Sequence, residues 1–333
     1  MLHRRCGLLA VSLLFLGAVA AAPAADSKYL PDNAEVILTV NFKQIMDSEL
    51  VKAQKDAAGK VKAMVEDKMP PEAQKWLKKA GIDLFTDLGS VTVALPAKKD
   101  PKDAVFAIIE GSFQPEKIFA TAAEAVKEYG EVLKITRQGQ QQIIEVQPPQ
   151  GEALFVTLAG KDILFATTNK TMLTAALARA AGEKQSKLKK EVRSLLEATN
   201  GKQSISAVAT GRAIAKLLEN AQIPPQQAQM VGPVLKSIEG LSAAITITKD
   251  VQFQIGVGTK DAETAANLAK GATFGLTLVK GMLDQKAMED AKLVPLVDIV
   301  KTLRVNARNN SVMFQGQATL DNIDKLIKNF HPQ

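Results

Sequence analysis

Apolar and polar positions along this chain fall into short runs, and their order recurs in the second half. Glu35-Val36-Ile37-Leu38-Thr39-Val40-Asn41-Phe42 is rich in β-branched and aromatic residues, which predicts a strand. Residues 45–67 shift to Ala, Lys, Glu, Gln and Met, a composition that favours helix. Met69-Pro70-Pro71-Glu72 breaks that helix and opens another with proline in its first turn. This second piece carries Trp76, the sole tryptophan, expected as a core anchor. Residues 90–95 and 105–111 predict two more strands. A helix over residues 115–129 then places Ile118, Phe119, Ala122 and Val126 at helical spacing. Short strands come next at 132–136, 142–146, 153–158 and 163–167. Asn169 can cap a helix that runs to Ala181. Residues 182–200, rich in Lys, Glu and Ser, read as an exposed linker helix.

The second half repeats the first. Val105-Phe106-Ala107-Ile108-Ile109-Glu110-Gly111 leads into a helix start at Glu116, and Gln252-Phe253-Gln254-Ile255-Gly256-Val257-Gly258 leads into one at Glu263, 147 positions on. Residues 205–210 match the first strand, and Ile223-Pro224-Pro225-Gln226 matches the first proline pair. Leu303-Arg304-Val305-Asn306-Ala307 matches Leu154-Phe155-Val156-Thr157-Leu158. A final helix over 321–330 answers the one after Asn169. Collinear matches of this kind predict an internal duplication: an α+β protein of two related halves, each with its own antiparallel sheet and apolar core. Each half opens strand, helix, strand, strand, helix, strand, the ferredoxin-like βαββαβ layout, with a further strand and helix. The hairpin over 132–146 has no counterpart in the second half. The expected organisation is residues 1–24 as a signal peptide, 25–182 as the first half, 183–202 as the linker helix and 203–333 as the second half.

The beginning of the chain changes the picture from architecture to compartment. Met1 to Cys6 is basic, residues 7–20 are apolar and uncharged, and Ala22-Pro23-Ala24 offers a small-residue cleavage site. This is the layout of a secretory signal, cleaved after Ala24, and the run is short for a membrane span. The expected location is periplasmic or extracellular, with no transmembrane segment in the mature chain. The full chain has 42 basic and 35 acidic residues and a net charge of +7; loss of Arg4 and Arg5 reduces that to +5. The excess is scattered and aromatics are only 5%, so nucleic-acid binding is excluded as an expectation. The only cysteine is Cys6 and the only histidines are His3 and His331. Histidine triads and sites that lean on His or Cys ligands are therefore disfavoured, and no cofactor or metal is expected.

Carboxylate chemistry is what remains. Asp83, Asp87 and Glu116 are the candidates for a histidine-free hydrolase, and Glu116 and Glu263 occupy equivalent places at two helix starts. The helix macrodipole favours acidic residues there in any case. Gly256-Val257-Gly258 after a strand lacks the third glycine and the lysine of a phosphate loop. Asn309-Asn310-Ser311 matches a glycosylation pattern and reads as a hairpin turn. In the helix over 264–283, Gly271 and Gly275 have the spacing of a contact device, expected to pack closely on the sheet. An apolar ligand lying beside this helix is the sharper reading.

Leu30-Pro31-Asp32-Asn33-Ala34 and Gly81-Ile82-Asp83-Leu84-Phe85-Thr86-Asp87-Leu88 resemble exported bacterial proteins of the DUF3352-like kind, which open with a similar Leu-Pro-x-x-Ala phrase. The resemblance covers the export signal and roughly the first third. It implies export and transfers no active site. The expectation is an exported, soluble, non-enzymatic binding or scaffolding protein whose partner is an unknown protein or an apolar ligand. The rivals are a periplasmic carrier of a lipid or other apolar ligand, and the carboxylate-dependent hydrolase.

Overall fold

The computed structural model describes residues 27–53, 57–96, 105–199, 202–220, 235 and 237–330. The signal segment, the second proline pair at 223–226 and His331 lie outside the described residues. Among the described residues the strands are β1 (Ala34–Val40), β2 (Leu88–Pro96), β3 (Phe106–Gly111), β4 (Leu133–Gln138), β5 (Gln141–Val146), β6 (Leu154–Leu158), β7 (Ile163–Thr167), β8 (Ile205–Thr210), β9 (Ile238–Ile247), β10 (Val251–Thr259), β11 (Arg304–Arg308) and β12 (Ser311–Ala318). All join one sheet in the order β11-β12-β10-β9-β8-β1-β2-β3-β7-β6-β5-β4, and every pairing is antiparallel. The α+β class stands, with one large antiparallel sheet where two were expected.

The ferredoxin-like layout does not survive. It would insert the first strand between later ones by crossovers, whereas β1, β2 and β3 run as a meander and β7 adds to β3. Outward from the central β1–β8 pair, the order is β1-β2-β3-β7-β6 on one side and β8-β9-β10-β12-β11 on the other. The hairpin β4–β5 extends only the first side, as its sequence indicated.

The register puts the two matched segments out of phase with respect to the faces of the sheet. Leu38 faces Ala207; from them the rows continue through Val93 to Ala107 on one side and through Ala243 to Ile255 on the other. Ala107 and Ile255 therefore share a row, as Phe106 and Gly256 do through Ala94, Ile37, Val208 and Ser242. Phe253, three residues from Gly256, points to the face opposite Phe106. A one-residue slip in a strand exchanges its faces, so the likeness of the two segments reflects shared strand composition more than shared position.

The main core lies on one face of the first side. Ile37, Ala94, Phe106, Ile108, Phe165 and Ile143 point there by strand alternation, and helix Lys170–Ala180 covers them with Leu173 and Ala176. Phe106 and Phe165 are fully buried with ring centroids 5.5 Å apart. The stretch expected as an exposed linker helix is exposed at most of its described residues, but part of it enters this core. Leu188 and Val192 are buried in it, and helix Lys190–Ala198 packs across β8 and β9. Val208 of β8 joins the same cluster, so this core reaches the second side, which also buries a smaller cluster of its own around Val257, Ala265, Ala269 and Val312. The reverse face is covered by Phe42 over Val91, Val93 and Ala107, and by helix Pro115–Tyr129 through Ile118.

Trp76 is not a core residue. It is half-buried on helix Pro71–Lys79, edge-on to Tyr129 with centroids 6.1 Å apart, with Lys75 and Lys79 over its ring.

Candidate functional site

The feature most at odds with a folded interior is the outer face of helix Ala262–Glu289. Asp261 caps it, accepting the Thr264 amide at 2.7 Å, and that bond holds the Asp261 carboxyl below the ordinary range. Its inner face is lined with small residues: Ala265 and Ala269 are buried against Val257 and Val312. Small side chains there let the helix lie close to the sheet. Lys280 donates to the Leu303 carbonyl at 3.3 Å, and Asp284 pairs with Lys301 at 2.9 Å. These two contacts tie the middle of the helix to the end of helix Val294–Thr302.

The outer face is a row at four-residue spacing, Lys270, Phe274, Leu278, Met282 and Lys286. Phe274 is 67% exposed, Leu278 53% and Met282 63%. Val279 and Met288 add exposed apolar surface beside it. Gly271 and Gly275, expected to press against the sheet, do the opposite, and Gly281 is alike: a Cβ built on any of them meets nothing within 4 Å. The glycines are notches open to solvent beside an apolar ridge. From 271 to 279 no charged residue interrupts it, a length of about 14 Å at the rise of an α-helix. Lys270 and Lys286 stand one turn beyond Phe274 and Met282.

The carboxylate candidates are placed elsewhere. Asp83 Oδ1 accepts the Phe85 amide at 2.8 Å and the Thr86 amide at 3.3 Å, and its Oδ2 accepts from Lys62 at 3.3 Å. The Phe85 amide, aided by Lys62 and Thr86, holds its carboxyl below the ordinary range. Asp87 Oδ2 accepts the Asp83 amide at 2.8 Å. Both aspartates thus build the turn before β2, a structural use of Asp side chains. Glu116 and Glu263 remain exposed in the first turns of their own helices. Asp87 shares a shallow groove with Glu110 and Asp162, where Ser90 donates to Glu110 at 2.6 Å. Among the described residues, no group of three or more His, Cys, Asp or Glu could hold a metal ion. Gly256 lies inside β10, where a Cβ would stand 2.5 Å from Ser242 Oγ, and Asn309 takes a positive φ of 52° in the β11–β12 turn.

Two features escaped sequence reasoning. Glu35, 2% exposed in β1, pairs with both Lys189 and Arg212 and accepts from Thr210 at 3.0 Å. A cleft beside the Ser27–Tyr29 turn gathers Lys28, Arg179, Lys184 and Arg193. Alternating charge in sequence gives no sign that residues 150 positions apart converge.

No family model matches this chain, and no curated protein matches it. Two crystal forms of TP0453 are similar in structure. Form III gives a TM-score of 0.45 at 10% identity, covering 91% of this chain and 97% of that one. Form IV gives 0.44 at 9% identity, covering 92% and 96%. Among the described residues, no helix is long and apolar enough to cross a membrane.

Proposed function

We propose that the protein is an exported, non-enzymatic binding protein that docks another protein's amphipathic helix on the outer face of helix Ala262–Glu289. One observation carries this reading: a ridge of Phe274, Leu278 and Met282 stands exposed beside glycine notches on a well-anchored helix. Exposed contiguous apolar surface marks interaction sites, and small residues next to large ones suit the ridges-into-grooves packing of a second helix. The occupant is chosen by size and charge. The surface is one helix wide, too small alone for the roughly 800 Å² per partner of a stable dimer interface. Lysines at both ends of the ridge favour a partner whose apolar stripe ends in acidic residues. An apolar ligand would be covered on one side only here, which lends the carrier reading less support. The turn-building roles of Asp83 and Asp87 do the same for the hydrolase.

The export signal at residues 1–24 belongs to this proposal, as does descent from one duplicated half, which the mirrored strand order on the two sides of β1–β8 supports. A photoreactive residue at position 278, activated in cells producing the protein, tests the docking reading. The expected adduct maps to an apolar helix with acidic ends in another protein. A lipid adduct would turn the reading into the carrier, an adduct to the same chain into self-association, and none would remove it.

A further inference from the structure

We infer that the cleft between the Ser27–Tyr29 turn, the end of helix Lys170–Ala180 and the segment leading into helix Lys190–Ala198 is a phosphate-binding site. Four cations, Lys28, Arg179, Lys184 and Arg193, line it together with the hydroxyl-bearing Ser27 and Ser186. No carboxylate is among its described lining residues, although the chain as a whole carries nearly as many acids as bases. Arg179 is the anchor. Its side chain is 7% exposed, and a single carboxylate oxygen, Asp32 Oδ1, accepts from one terminal nitrogen at 3.0 Å. That same oxygen also accepts the Lys187 amide at 2.8 Å, so Asp32 is divided between two donors. Arg179 Nε is buried without a hydrogen-bond partner. Asp32 thus neutralises Arg179 only in part, and a bound anion would offset the remaining unused donor and the like charges around it.

The donor set selects the class of anion. Ser186 already donates to the Leu30 carbonyl at 2.9 Å, and the two guanidinium groups, two ammonium groups and the Ser27 hydroxyl exceed what the two oxygens of a carboxylate can accept. They suit the three or four oxygens of a phosphate, which guanidinium forks bind in paired hydrogen bonds. The phosphate could arrive free or as a phosphomonoester headgroup, and both present the same oxygens. The site is separate from the outer face of the long helix, and the two readings stand or fall independently.

Isothermal titration of the full protein decides it, with inorganic phosphate, glycerol 3-phosphate and acetate as probes. Saturable binding of a phosphate probe is expected, with acetate at least tenfold weaker. Tighter phosphate would assign the free anion, and tighter glycerol 3-phosphate an esterified one. Lys184→Gln and Arg193→Gln, both on exposed side chains, should each weaken binding about tenfold without lowering the melting temperature. Lys190→Gln, in the same segment but outside the cleft, should change nothing. Absence of saturable binding by either phosphate probe, binding unaltered in both variants, or acetate equal to phosphate would overturn the assignment.

Discussion

Glu35 and Arg212 lie 177 positions apart in sequence, yet the arginine Nε donates to the glutamate Oε2 at 2.9 Å. The carboxylate belongs to β1 and the guanidinium to the first turn of helix Gly211–Asn220 after β8. Lys189, at the start of helix Lys190–Ala198, completes the cluster. The acid is buried while the cations are 55% and 40% exposed, so removal of the two sides should not cost the same. Arg212→Gln with Lys189→Gln strands a buried carboxylate, and a loss of about 3–5 kcal/mol is expected in urea unfolding. Glu35→Gln returns both cations to water and should cost less, about 1–3 kcal/mol. Equal costs would mean the carboxylate is not desolvated as described.

Phe106→Ala should destabilise by about 3–5 kcal/mol, because it empties a site sealed by Phe165 and the covering helices. Phe253→Ala, on a half-buried strand position of the opposite face, should cost clearly less. Thermal unfolding of the pair measures the difference, and equal losses would contradict the deeper burial of Phe106.

Gly111 and Gly258 end matching sequence runs but differ in surroundings. A Cβ at Gly111 would stand 2.4 Å from the Asp87 carbonyl oxygen, whereas at Gly258 its nearest neighbour is 3.6 Å away. Gly111→Ala should therefore cost about 1–3 kcal/mol, and Gly258→Ala should be nearly neutral in the same denaturation assay.

Acid should act on the turn before β2. The Asp83 carboxyl is held below its ordinary value of 3.8, chiefly by the Phe85 amide. A depressed folded pKa gives stability that is complete above the unfolded value and is lost as pH falls through the folded one. The stability gap between the native protein and Asp83→Asn should thus be constant near neutrality and shrink below about pH 4. A gap that widened on acidification would contradict the assignment.

Much of the fold is legible in the pattern of apolar runs. The strands, the helix after each repeated strand and the unmatched hairpin all come from composition and turn residues. What the pattern cannot show is pairing. Strand composition at residues 105–111 and 252–258 fixes neither register nor face, because a slip of one residue leaves the run equally apolar while exchanging every side chain. The same blindness hides the core role of residues 182–200. There Leu188 and Val192, isolated among charged residues, anchor that segment to the core once β8 lies beside β1. The long helix is legible as an element but not in its orientation. Its alanines at 265 and 269 form the sheet side, which leaves Gly271, Phe274 and Gly275 outward.

Gly275→Ala adds a methyl group where nothing stands within 4 Å and removes a glycine from a helix interior. It should stabilise the fold by about 0.5–1 kcal/mol. If the notch receives a partner helix, the same substitution should weaken docking. A rise in melting temperature without a loss of binding would separate the helix from the proposed site.

The most direct measurement is the anisotropy of a labelled synthetic amphipathic helix with a leucine face and glutamate ends, titrated with the native protein and with Leu278→Asp. The expected result is saturable binding by the native protein, at least tenfold weaker in Leu278→Asp at an unchanged melting temperature, and weaker again for a peptide with lysine ends. Equal binding by both proteins, or by both peptides, would contradict the docking face.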